Sequence, residues 1–424
     1  MAFAAVAIFV VAYVLLATEL VHRTKVALAG AALMLLLRIS DADTAFFDDH
    51  TGIEWNVIFL LFGMMVIVSV LRQTGVFDYV AIWSAKRTRG EPYRLMVMLC
   101  VLTAAASALL DNVTTILLIA PVTFLVCDRL DLRPAPYLIA EVLASNIGGA
   151  ATLVGDPPNI IIAARADLSF NDFLVHMGPI VVVLMVVYCL LIRWLFRAEF
   201  THDAERAQSV MALNEREAIT DPPLLAKSLG VLGLVVAAFV LHPVLHYEPS
   251  IVALLGAGLL VLITDVDTHA ALEEVEWPTL VFFAGLFVMV GGLVQTGVIR
   301  EVSDATASAT EGRLGLATLG LLGGSAVLSA IVDNIPYVAT MSPIVADLSA
   351  GQGGDGQVLW WALALGADLG GNATAIGASA NVVALGIAER AGHRISFWQF
   401  TKYGLVVTAA TVTICAPYLW LRYL

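Results

Sequence analysis

The sequence predicts an all-α polytopic membrane protein folded as two inverted repeats, each of about five transmembrane helices plus one re-entrant hairpin. Three observations predict it. The chain is 60% hydrophobic and 13% charged, with apolar runs such as Met1 to Leu20 and Val181 to Leu195 on the scale of a bilayer. Two longer apolar stretches, 92–128 and 314–349, carry an Asp-Asn pair near their middle. Blocks of the first half also recur in the second at one constant offset of 222 residues.

Taken in order, the apolar runs place ten crossings near 2–20, 24–38, 55–72, 137–163, 175–195, 223–243, 250–265, 278–298, 358–388 and 401–421. Met1 to Leu20 lacks a basic leader and a small-residue cleavage site, so it reads as a retained first helix. The stretches 92–128 and 314–349 read as hairpins turning at Asp111-Asn112 and Asp333-Asn334; two full spans in each is the alternative.

The repeat rests on three blocks. "EWNVIFLLFGMMVIVSVLRQTGV" at 54–76 matches "EWPTLVFFAGLFVMVGGLVQTGV" at 276–298. "SALLDNVTTILLIAP" at 107–121 matches "SAIVDNIPYVATMSP" at 329–343, so the two Asp-Asn pairs coincide. "NIGGAATLVGDPPN" at 146–159 matches "DLGGNATAIGASAN" at 368–381. The chain divides into a first repeat over 1–198, a linker over 199–222 and a second repeat over 223–424. An odd number of crossings per half inverts the second relative to the first. With the N-terminus outside, 17 of the 22 Lys and Arg residues fall on the inner side, the expected bias. The polar linker is then cytoplasmic, a tether with a short surface helix or a docking segment.

A carboxylate at the bilayer centre costs about 2.5–3.5 kcal/mol on insertion scales. Asp111 and Asp333, with Asn112, Thr114 and Asn334 beside them, are therefore expected to face a shared polar site that binds protons, or sodium at the same two aspartates. The bland alternative is that each aspartate caps a half-helix. The third block joins glycines to small polar residues, so helices 137–163 and 358–388 are expected to break there. Asn146, Thr152, Asn159, Asp368, Asn372, Thr374, Ser379 and Asn381 would then line the site; ordinary small-residue helix packing competes at each position. Asp156 reads equally as a ligand or as a turn residue before Pro157 and Pro158. Arg72 reads as a cytoplasmic anchor, and His176, His242 and His246 as interfacial.

Other chemistry is poorly represented. The four cysteines, Cys100, Cys127, Cys189 and Cys415, form no C-x-x-C pair, disulfide framework or metal site. No phosphate loop, zinc-binding helix or paired nucleophile and base occurs, and no nucleic-acid partner is indicated. The net charge of −13 sits largely in short loops such as "DADTAFFDDH". A channel with an aspartate ring is the competing class, disfavoured by two inverted tips of unlike access.

"LDNVTTILLIAPVTFLVCDRL", "LIAEVLASNIGGAATLVGDPPNIII" and "ADLGGNATAIGASANVVALGIAE" resemble the ArsB/NhaD branch of the ion transporter superfamily, which includes arsenite efflux carriers and the melanosomal P protein. The resemblance covers nearly the whole chain. It implies a homodimer in the bacterial inner membrane, with a fixed scaffold domain and a transport domain that moves like an elevator, and function for Asp111, Asn112, Asp333 and Asn334. It implies no cofactor, only a proton or sodium gradient as driving force, and leaves a cytoplasmic ATPase partner open. Where dicarboxylate carriers of the superfamily have Ser-Asn-Thr tips, this chain has Asp111-Asn112-Val113 and Asp333-Asn334-Ile335. The expected activity is proton-coupled export of arsenite or a similar small inorganic solute, with sodium/proton antiport as the alternative and dicarboxylate or other anion transport behind them.

Overall fold

The computed structural model describes residues 1–18, 20–48, 51–200, 214–309, 313–352 and 356–424, and no strand occurs among them. Among the described residues, six helices are long and apolar enough to cross a membrane: Trp55–Arg72, Asn112–Leu130, Gly178–Leu195, Pro222–Val240, Trp277–Gln295 and Phe397–Tyr423. Shorter apolar helices, among them Ala2–Thr18, Pro92–Ser107, Pro249–Ile263 and Leu314–Ser329, complete the bundle.

The duplication is visible element by element. Trp55–Arg72, Val76–Arg87, Pro92–Ser107, Asn112–Leu130 and the pair Pro134–Gly149 with Pro157–Ala166 recur as Trp277–Gln295, Val298–Ala309, Leu314–Ser329, Asn334–Gln352 and the pair Val358–Gly370 with Ser379–Arg390. Each interrupted stretch is two helices joined by a short break that ends on the aspartate of the Asp-Asn pair, and each predicted broken helix is indeed two helices. The second arm of the first hairpin, Asn112–Leu130, has the length of a full span, so the two arms are unequal. Pro121 and Pro343 sit inside matching helices, where each removes one helical hydrogen bond. Ser342 Oγ donates to the Ala339 carbonyl, the acceptor freed by Pro343, at 3.3 Å.

The halves interlock rather than sit side by side. Arg23–Leu36 packs on Trp277–Gln295, and Pro249–Ile263 packs on Trp55–Arg72, so each repeat lends its leading helices to the other. Small residues permit it: Gly285 lies against the Ala27 backbone, and Gly63 against the Ala253 backbone. The tip helices cross over as well, with Asn112–Leu130 on Ser379–Arg390 and Asn334–Gln352 on Pro157–Ala166.

The linker re-enters the fold at a turn. Thr220 donates through N to the Thr74 carbonyl at 3.0 Å and through Oγ1 to the Gln73 carbonyl at 2.8 Å. Gly75 has φ of 75°, and a Cβ there would lie 1.9 Å from the Ala218 oxygen, so only glycine fits. Of the linker 199–222, residues 201–213 lie outside the described residues, and Glu215–Ala218 forms one short turn of 3-10 helix. Arg72 is half-exposed and pairs with Glu274 at 3.7 Å.

Candidate functional site

Both helix breaks are held by the same bonds. Thr152 Oγ1 donates to the Ala108 carbonyl at 2.5 Å, and Thr374 Oγ1 to the Ala330 carbonyl at 2.6 Å, tying each break to the adjacent tip. Asn159 Nδ2 donates to the carbonyls of Thr152 at 3.0 Å and Gly149 at 3.4 Å. Asn381 Nδ2 donates to those of Thr374 and Gly371, both at 2.8 Å. Four of the residues expected to bind a solute thus spend their donors on backbone oxygens that an unwound helix leaves without partners.

Between the breaks lies a buried polar centre. Asn146 Nδ2 donates to Asn372 Oδ1 at 2.9 Å and Asn381 Oδ1 at 3.0 Å, which joins the two repeats. Asn112 Nδ2 reaches Asn146 Oδ1 at 3.1 Å and Asp156 Oδ2 at 2.9 Å. Asn334 Nδ2 points at both oxygens of Asp156 at 3.4 Å. Asp156 therefore receives a carboxamide from each tip. It occupies the N-cap position of Pro157–Ala166 yet makes no capping bond, because its carboxylate faces inward. Sequence left Asp156 between turn and ligand; the geometry puts it in the centre.

Asp368 is the second carboxylate there and is fully buried. Neither of its oxygens has a hydrogen-bond partner among the described residues, and Asn159 Oδ1 is also without one. Asn159 lies beside Asp368, and Asp368 is the charge that bears most on Asp156. No lysine or arginine pairs with either carboxylate among the described residues.

The two tips are not equivalent. Asp111 is buried and accepts from Thr114 N at 2.8 Å and from the Thr114 hydroxyl, so it caps its own helix. Asp333 accepts from Ile335 N at 3.0 Å and from the Ser379 hydroxyl, and it faces Arg23 at 4.0 Å. Arg23 also donates to Ser379 Oγ and, at 3.2 Å, to Thr279 Oγ1. Arg23, Asp333 and Ser379 line a cavity of about 340 Å³ with His22 and Phe282. Sequence counted Arg23 only as an inner-side charge. We expect Asp111→Asn, which can still cap, to lower transport less than tenfold. Asp333→Asn removes the charge opposite Arg23 and is expected to lower it more than tenfold; equal losses in a vesicle flux assay would restore the symmetric picture.

Broken helices meeting on buried carboxylates inside an apolar helical fold are the build of a secondary transporter, an integral protein that crosses the membrane many times. The chain belongs to the citrate transporter family, CitMHS, which it matches over residues 13–366. It is 58% identical over 425 residues to an uncharacterized transporter, Rv2684, of Mycobacterium tuberculosis H37Rv, covering 100% of this chain and 99% of that one. The P protein of Homo sapiens is 36% identical over 497 residues, covering 97% of this chain and 59% of that longer protein. The crystal structure of the YdaH transporter of Alcanivorax borkumensis has the same fold at a TM-score of 0.60 and 17% identity, covering 94% of this chain and 96% of that one.

Proposed function

We propose that the chain exchanges protons for a small cation across the membrane, with sodium as the cargo. The observation that carries this reading is the unsatisfied centre: Asp156 and Asp368 are buried near one another, and neither Asp368 oxygen has a hydrogen-bond partner in bonding geometry among the described residues. A carboxylate so placed needs a proton or a cation, since burying the bare charge is prohibitive. Either ligand serves, and competition for one set of oxygens couples their opposite movements.

Export of arsenite or a similar inorganic solute, the ArsB/NhaD expectation, is the second reading. The cavity beside Asp333 and Ser379 favours it, having room for a small hydroxylated solute. Thiol ligation has less support, because Cys100, Cys127 and Cys415 are all buried and none lines that cavity. Citrate, the word in the family's description, would bring anionic charge toward Asp156 and Asp368, a repulsion of several kcal/mol at low dielectric.

In this reading the tips and broken helices form a transport body that moves against the exchanged leading helices in an elevator-like stroke. The assembly is a homodimer in the bacterial inner membrane with its N-terminus outside. The unlike surroundings of the two tips, a cavity beside Asp333 and a buried Asp111, support this reading.

The test is the purified protein in liposomes holding a pH-sensitive dye, with sodium, arsenite and citrate added in turn under an imposed proton gradient. Sodium is expected to move protons. Movement with arsenite alone would transfer the assignment to the second reading, and movement with citrate alone would overturn both.

A further inference from the structure

The helix Pro134–Gly149 is buried along its whole length, and it carries one carboxylic acid that the centre does not use. Glu141 has no exposed surface, and its two oxygens lie 2.8 and 2.7 Å from a single hydroxyl, Thr123 Oγ1. One hydroxyl holds one proton and can serve only one oxygen at a time. The ionisable groups around Glu141 are Cys100 on Pro92–Ser107, Cys127 on Asn112–Leu130, Tyr188 on Gly178–Leu195 and Tyr137 on its own helix. Val358–Gly370, Ser379–Arg390 and Phe397–Tyr423 also pack on this helix and bring no ionisable group to Glu141. No cation among the described residues balances it.

The second repeat is an internal control. At the 222-residue offset the counterparts of Thr123 and Glu141 are Val345 and Leu363. Both are fully buried, so hydrocarbon occupies the matching positions. The fold does not need a polar pair at this place, and keeping a carboxylate there uncompensated is expensive. A proton on Glu141 supplies the missing donor. Ser145, one helical turn further on, has its hydroxyl 3.1 Å from Ser107 Oγ and 3.3 Å from the Asn112 carbonyl, and Asn146 of the centre follows it directly.

We propose that Glu141 is a second proton-binding site, separate from the centre, that takes up and releases one proton in each transport cycle. On release the carboxylic O–H breaks, the proton passes to water and the electron pair stays on Glu141 as carboxylate; on the other side of the membrane a hydronium returns the proton. The assignment rests on the proposed proton coupling and raises the number of protons moved per cargo ion by one.

Two measurements test it separately. In liposomes with sodium as cargo, Glu141→Gln is expected to lower the proton-to-sodium ratio by one proton and flatten the pH dependence, while sodium still moves. The double variant Thr123→Val with Glu141→Leu copies the second repeat, is expected to fold, and should show the same lower ratio. A wild-type ratio and pH profile in either folded variant overturns the proposal. Infrared difference spectra of the purified protein without cargo give the second readout: a protonated-carboxyl band lost in Glu141→Gln is expected to disappear as pH rises. A Glu141 band that persists at every pH, or that is absent at low pH, also overturns it. Should wild type move no protons with sodium, the sodium reading fails while the infrared titration still decides Glu141.

Discussion

Asp156→Asn is expected to abolish coupled transport and, at the same time, to make the protein more stable. Asparagine keeps the shape and can still accept from Asn112, so the carboxamide bonds around it survive. It cannot take up a proton or balance a cation, and it ends the repulsion between Asp156 and Asp368. Loss of at least one hundredfold in flux, about 3 kcal/mol of transition-state stabilisation, should accompany a higher melting temperature in detergent. This pairing of outcomes separates a functional carboxylate from a structural one, because removing a residue that merely holds the fold lowers both. Unchanged flux would take the centre out of the mechanism.

Gly148→Val is expected to prevent folding. A Cβ on Gly148 would lie 2.3 Å from the Ala104 oxygen and 2.5 Å from its Cα, and backbone cannot yield as a side chain tip can. The second repeat makes the same contact, with a Cβ on Gly370 falling 2.6 Å from the Ala326 oxygen. Pro92–Ser107 thus meets Pro134–Gly149 backbone to backbone, a closeness on which the Thr152 bond to Ala108 depends. Overpacking of this kind costs about 1–3 kcal/mol or more, and here two helices would have to separate. Gly233→Val is the control, since nothing lies within 4 Å of its Cβ direction. Fluorescence-detected size exclusion in detergent should show a sharp peak for Gly233→Val and none for Gly148→Val; a normal melting temperature for Gly148→Val would contradict the packing.

The helical layout was legible in the sequence because its causes are local. Apolar runs mark spans, and Gly-Gly followed by small polar residues marks a break. The constant offset then transfers each boundary from one repeat to the other, as with the tips at Asp111-Asn112 and Asp333-Asn334. Asn146, Asn112, Asn334 and Asn372 were found the same way, and the fold brings them together.

Signals for the remaining residues existed but pointed to asymmetry. Asp156 is opposite Ala378 at the repeat offset, Glu141 opposite Leu363, and Asn146 opposite Asp368. A lone acid in an apolar run such as "YLIAEVLASNI" is a functional flag in a membrane helix. Sequence could not say which way each acid points.

By itself, then, the sequence determined an all-helical membrane fold, its duplication, its breaks and the polar character of its middle, since hydropathy and backbone flexibility are properties of neighbouring residues. Tertiary structure alone decided that Asp333 reaches Arg23 and that Asp156 and Asp368 share one centre. Those pairings join residues hundreds of positions apart, Arg23 with Ser379 among them. They follow from how the interlocked helices cross, which no local pattern encodes.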